Sequence, residues 1–230
     1  MMHNRLLLRS IPCHGYPFSN DAWSAEQAGV LRNLLSRQRI DRERATGLVV
    51  GAGGLPYTLG YLGVSRVAVL DRNPYVITSV CSRVGLLKNV SSWGEYMDAV
   101  GSGLDERMRR SFQREFRIAS QSGLRSDFAT TGATVTEIIG QEGDVIDELP
   151  RLAEQCREEG RIVSFANVTN VGLCLQMEGD TSPMSGRRAL AGLVRELPLS
   201  EDAVIVESGP GILRAQVRTA EEYLGRLAYH

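Results

Sequence analysis

The chain has 230 residues, 43% of them hydrophobic, and a formal net charge of −1. That length suits one globular domain over 1–230 with a continuous core. The near-zero charge argues against a surface built to hold a nucleic-acid backbone. All of the 26 basic residues except Lys88 are arginines, and they cluster only at Arg107, Arg109, Arg110 and Arg114. Acidic neighbours interrupt that cluster, as on a solvated helix face. Cys13, Cys81, Cys156 and Cys174 are far apart and form no CxxC pair, so neither zinc nor a disulfide framework is expected. The run "RLLLRSIP" is too short for the apolar region of a signal peptide, and no stretch approaches a membrane span. The expectation is a soluble cytoplasmic protein with no metal, membrane or nucleic-acid partner.

An aromatic, turn-rich segment, "CHGYPFSNDAW", comes first. Ser24 and Gln27 then make a capping-box pattern ahead of a helix with Ala28, Leu31 and Leu35 on one face. The first 46 residues thus supply a loop and a helix, a possible lid. Residues 47–50 are continuously apolar, as a buried parallel strand is. A glycine turn follows at 51–54, then a short helix from about Pro56 to Gly63, then a second strand at 66–70. Asn73 and Pro74 have the pattern of an N-cap and first helical position. Val76, Ile77, Val80, Cys81 and Val84 continue as an apolar stripe.

Residues 86–131 are long and polar for a connection in a compact α/β unit. They are expected to form a helical insertion, with Leu104, Met108, Phe112 and Phe116 spaced four apart. A strand is expected at 133–140. Pro150 can open a helix to Glu159, leaving 144–146 as a short strand. Another strand spans 161–167, followed by a polar loop and a helix at about 187–197. Two strands around Ser-Gly-Pro-Gly form an antiparallel hairpin, and a short helix begins at Ala220. Alternating strands and helices closed by a hairpin predict an open, doubly wound, mostly parallel sheet with an antiparallel edge. Extra helices lie at the N-terminus and at about 86–131.

"LVVGAGGLPYTLGYLGVSRVAVLDRNP" holds the strongest functional signal. A strand that turns sharply into a helix against a ligand excludes side chains at the turn. Gly51, Gly53 and Gly54 would leave amide groups at a helix N-terminus, where a carboxylate or phosphate binds. Asp71, 20 residues after Gly51 at the end of the second strand, can accept both hydroxyls of a ribose. In the dinucleotide fingerprint G-x-G-x-x-G a third glycine is needed, and that place is Pro56, which counts against NAD.

The run "VVGAGG…AVLDRNP" resembles the first two motifs of class I S-adenosylmethionine (SAM)-dependent methyltransferases, over about 47–84. The resemblance implies a Rossmann-like SAM-binding fold, with the glycine turn against the methionine part and Asp71 on the ribose. Through the run Asp71-Arg72-Asn73-Pro74 it also extends the cofactor-binding set to Arg72 and Asn73. The chain departs from the family pattern in three respects. No acid precedes Gly51, Leu55-Pro56 replaces the third glycine, and no clear acidic motif follows the third strand.

A sulfonium donor asks mainly for alignment. The histidines are His3, His14 and His230; His14 could reach a site, although a surface role suits it better. "SFANVTN" puts Asn167, Thr169 and Asn170 in a loop beyond a strand's carboxyl end, facing the ligand. Asn167 and Asn170 are the catalytic candidates, since amides hold a substrate amine or the donor's polar groups without adding charge. An Asx turn around Asn170 is the structural alternative. Tyr16, Phe18, Trp23, Tyr57 and Tyr75 can offer aromatic faces to a sulfonium, worth about 0.5–2 kcal/mol, or simply pack the core. Methyl transfer to a small molecule is the favoured function. Attack on the aminocarboxypropyl arm, by transfer of the nicotianamine type or by cyclisation of SAM alone to azetidine-2-carboxylate, is the alternative. A non-catalytic nucleotide-binding protein is a third possibility.

Overall fold

The computed structural model describes residues 25–51, 63–87, 89–102, 106–121, 135–169, 171, 183–209 and 212–226. In chain order its elements are α1 (Ala25–Leu35), β1 (Ala45–Val50), β2 (Arg66–Asp71), α2 (Pro74–Leu86), α3 (Trp93–Ser102) and α4 (Glu106–Gln121). Then come β3 (Glu137–Glu142), α5 (Val145–Glu158), β4 (Ile162–Asn167), α6 (Pro183–Glu196), β5 (Leu199–Gly209), β6 (Ile212–Thr219) and α7 (Ala220–Arg226). The strands form one six-stranded sheet in the order β3-β2-β1-β4-β5-β6. All neighbours are parallel except β5 and β6, which pair antiparallel. This is the doubly wound α/β architecture that the sequence pattern predicts.

Alternation along the strands divides the core into two layers. Val49, Val67, Val69, Phe165, Val204 and Val206 face α1, α2, α3 and α4; their partners there include Leu31, Val80, Tyr96 and Phe112. Leu48, Leu70, Ala166 and Ile205 face α5, α6 and α7, meeting Leu149, Leu190 and Tyr223. Both faces of β1 are therefore covered, which explains its continuous apolar run. The insertion expected at 86–131 contains α3 and α4, held to each other by the contacts of Trp93 with Phe116 and of Tyr96 with Phe112. They join the first layer through the buried Tyr96, Val100 and Phe112 and the packing of α4 on α1. Leu104 and the side chain of Met108 lie outside the described residues, as do Ser24 and the helix expected at 56–63.

Two local expectations need correction. Residues 144–146 form no strand, because Asp144 caps α5 by accepting the Ile146 N–H at 2.9 Å and the helix runs on through Pro150. Proline lacks the N–H that would reach the Ile146 carbonyl, and Ile146 is exposed at the outer side of the first turn. The third strand also begins at Glu137, later than the expected 133. Asn73 caps α2 as expected, accepting the Tyr75 N–H at 3.0 Å with Pro74 at the first helical position. Such a cap contributes about 1 kcal/mol.

Among the described residues, no helix is long and apolar enough to cross a membrane. Within the same residues, no group of three or more His, Cys, Asp or Glu could hold a metal.

Candidate functional site

Five parallel strands end at one edge of the sheet, and strand order reverses between β1 and β4. In open α/β sheets the crevice beyond the carboxyl ends at such a switch point is the ligand site. Here that edge carries Gly51, Asp71, the turn at 142–144, and Asn167.

Gly51 has φ +81°, a left-handed conformation that glycine adopts without a Cβ penalty. Its N–H bonds to the Leu70 carbonyl at 2.9 Å. This corrects one expectation: the Gly51 amide extends the β1–β2 pairing and is not offered to a ligand, so its role is to turn the chain. A Cβ at Gly51 would lie 3.7 Å from Asp71 Oδ2, so turn and carboxylate adjoin. Gly53 and Gly54 lie outside the described residues.

Asp71 is half-buried, and its Oδ1 accepts the Asn73 N–H at 2.7 Å. Burial pushes its carboxyl pKa up, against the pull of that N–H and of Arg72. An incompletely satisfied carboxylate at a strand end is suited to accept hydrogen bonds from a diol. Arg72 is turned elsewhere: its guanidinium pairs with Asp144. Asn73 is occupied by its cap, and its N–H orients Asp71. Both residues thus frame Asp71, Arg72 through its pairing with Asp144 and its charge, Asn73 through its N–H.

The third strand ends in a turn that the sequence did not mark as functional. The Gly143 N–H reaches the Asp71 carbonyl at 3.1 Å. Burial pushes the Asp144 carboxyl up, but the Ile146 N–H and Arg72 outweigh it and hold it below its usual range. The available signal was Asp144 followed at the third position by Asp147, an N-terminal helix pattern, which Pro150 obscured.

On the other side of β1, Asn167 is 3% exposed and stands opposite Val49 and Val206. Its Oδ1 accepts the Thr169 N–H at 3.2 Å. Asn167 thus makes an Asx turn of its own, one that the sequence reading did not place there. Asn170 lies outside the described residues, as do His3, His14, His230, Tyr16, Phe18, Trp23 and Tyr57. Tyr75 is exposed on the first turn of α2. Asp71 and Asn167 are two strands apart, about 10 Å at the usual strand spacing.

Glu207 on β5 was also missed. It is buried near the same edge, with Arg187 Nε at 3.3 Å and Arg218 Nη1 at 3.7 Å. Burial pushes its carboxyl up despite both arginines, and burial followed by the Glu207 charge pushes the nearby Tyr223 phenol up.

The sequence matches no family model and no curated protein. Among solved structures, the chain is similar to the rRNA methyltransferase aviRa from Streptomyces viridochromogenes. The identity is 17%, over 98% of this chain and 93% of that one, with a TM-score of 0.45. A second structure of that enzyme gives 18% identity, 90% and 81% coverage and a TM-score of 0.41. A calicheamicin methyltransferase gives 11% identity, 91% and 84% coverage and a TM-score of 0.31. These neighbours are methyltransferases.

Proposed function

We propose that this chain is a SAM-dependent transferase, with methyl transfer to a small molecule as its reaction. The observation that carries the reading is the Asp71 carboxylate, half-buried at the end of β2 and adjoining the left-handed turn at Gly51. That arrangement suits a nucleoside whose ribose meets Asp71 and whose remaining chain runs over β1 toward Asn167. Charge supports a nucleoside without phosphates. Around Asp71 stand Glu142, Asp144 and Glu148, with Arg72 and Arg151 each paired to one of them. Among the described residues of this group, carboxylates outnumber guanidiniums four to two, and a pyrophosphate there would meet like charge. A sulfonium would meet opposite charge.

For in-line displacement at carbon, the chain's task is to hold donor and acceptor in register and exclude competing geometries. Asp71 would orient the ribose and Asn167 the donor's polar end or the acceptor. The expected experiment is calorimetry with S-adenosylhomocysteine, SAM, NAD and ATP. Binding of the first two in preference to the others supports the reading; NAD or ATP binding with no response to either sulfur nucleoside overturns it.

One observation favours the aminocarboxypropyl reading as a second candidate. Asn167 is a neutral, buried amide, and a neutral site keeps an amine unprotonated better than a carboxylate does. In cyclisation the donor's amine nitrogen attacks the arm's γ-carbon, the carbon–sulfur bond breaks, the amine loses a proton, and methylthioadenosine leaves. Incubation of the protein with SAM alone, read by mass spectrometry, separates the two. Methylthioadenosine above the uncatalysed rate selects cyclisation; S-adenosylhomocysteine formed only when an acceptor is added selects methyl transfer.

A further inference from the structure

The turn at 142–144 is supported from beneath by a side chain outside the chemistry proposed so far. Glu148 closes the first turn of α5, beside the buried positions Leu149, Leu152, Ala153 and Cys156. Its side chain is 10% exposed, whereas Arg151, its partner at 2.6 Å, is 69% exposed. An ordinary helix-surface pair exposes both ends; here the carboxylate is directed inward. It also accepts a hydrogen bond from Gln141 Nε2 of β3. A Cβ built on Gly143 would stand 2.5 Å from Glu148 Cγ and 3.0 Å from both Cδ and Oε1. The glutamate therefore lies flat against the Gly143 backbone and occupies the space a side chain would need. Gly143 in turn donates to the Asp71 carbonyl, and Asp144 pairs with Arg72.

These contacts make a continuous path from α5 to the end of β2. We propose that Glu148 is a positioning residue for the nucleoside: through Gly143 it sets the turn 142–144 against Asp71. The proposal rests on the SAM reading and adds to it a residue that need not touch the ligand. Burying a carboxylate is unfavourable unless it is paired and hydrogen-bonded, and here its partners are the elements that frame the site. Supports of this kind hold a binding constellation to within about 0.5 Å.

The test is titration of S-adenosylhomocysteine into wild-type protein and folded variants, with thermal unfolding followed in parallel. Glu148→Gln keeps the shape and an acceptor for Gln141, and should bind within about threefold of wild type, while Glu148→Ala should lose about tenfold. Gly143→Ala should lose about tenfold or more, and adding Glu148→Ala to it should recover part of the loss because the obstructing Cγ is gone. Since Glu148 acts through Asp71, the Asp71→Ala/Glu148→Ala pair should bind no worse than Asp71→Ala alone. A folded Glu148→Ala variant with wild-type affinity overturns the proposal, and so do losses that multiply in the double variant. Wild-type protein that ignores the ligand is a different result, visible in the first titration; it removes the SAM reading and this proposal with it.

Discussion

The two edges of the sheet handle charge in opposite ways. At the amino edge, Arg66 begins β2 and Glu137 begins β3, while Glu159 and Arg161 lie between α5 and β4. Arg66, only 6% exposed, pairs with Glu137 at 2.7 Å and also with Glu159. Arg161 reaches both glutamates at 3.4 Å. Two cations and two anions close on one another, and the network ties β2, β3 and α5 together. At the carboxyl edge Arg72 pairs with Asp144, Arg151 with Glu148, and Arg187 and Arg218 with Glu207. Among the described residues Asp71 is held instead by the Asn73 N–H and the pull of the Arg72 charge, outside any ion pair. The amino edge closes its charges into one network, while at the carboxyl edge the Asp71 carboxylate stands apart from the pairs around it.

The sharpest way to break this comparison is Asp71→Ala. A hydrogen bond to a charged group is worth about 1.5–3 kcal/mol, so affinity for S-adenosylhomocysteine should fall by one to two decades while the fold persists. Unchanged affinity in calorimetry would show that Asp71 is not the ribose ligand. At the opposite edge, Arg66→Ala should do the reverse. It should lower stability by about 1.5–3 kcal/mol, on the order of 5 °C in Tm, with affinity kept. The half-exposed glutamates it leaves behind keep the cost below that of a wholly buried pair.

Two glycines test the same contrast in the backbone. Gly51 and Gly160 both have positive φ, +81° and +63°. Alanine at either should cost about 1 kcal/mol of stability in denaturant unfolding. Only Gly51→Ala should also weaken the ligand, because its new methyl would stand against Asp71 whereas Gly160 has open space. Equal affinity losses would contradict the assignment of the two edges.

The smallest expected effect is a difference in pH response. Burial raises the folded-state pKa of Asp71. Its contribution to stability is complete below the unfolded value, about 4, and is lost as pH rises through the raised folded value. Glu159 is held low by its hydrogen bond to Gln155, against a burial penalty, and by Arg66 and Arg161. Its contribution is present above the unfolded value and is lost as pH falls through the lowered one. Asp71→Asn should therefore gain stability over wild type at pH 7 relative to pH 3, and Glu159→Gln should lose it, as read by urea unfolding at both pH values.

Fold and site were not equally legible in the sequence. The strands at 45–50, 66–71 and 162–167 are buried on both faces, so their apolar runs announce them regardless of context. Gly51 and Asp71 are readable for a related reason: a turn residue and a strand-end acid keep a fixed register across one βαβ unit. Local pattern fails at 141–148. The apolar spacing Val145, Leu149, Leu152 and Cys156 is helical, but Pro150 in its midst suggested a break. Glu148 then fell ahead of the expected helix and drew no attention, because its burial depends on Gly143 having no side chain. The Arg66 network is invisible for another reason: its members are separated by up to 95 positions and meet only after the sheet assembles. Asn167 was found by its place at a strand end, although the Asx turn it makes with Thr169 was not anticipated.

The insertion carries a consequence for timing. Glu137 pairs with Arg66, 71 positions earlier, with α2, α3 and α4 between them, whereas β5 and β6 are joined by a two-residue connection. The cost of closing a long loop must be met before its contacts reward it, so β3, like β4 with 117 positions between Ala45 and Ile162, should dock after the β5–β6 hairpin. The turn that rests on Asp71 hangs from β3, so the edge around Asp71 should be completed late in folding. A ligand that recognises only the finished edge should slow unfolding and leave the folding rate nearly unchanged. Stopped-flow chevrons with and without S-adenosylhomocysteine would show the retarded limb. The protein's resistance to unfolding in a cell would then be governed by how much donor is present.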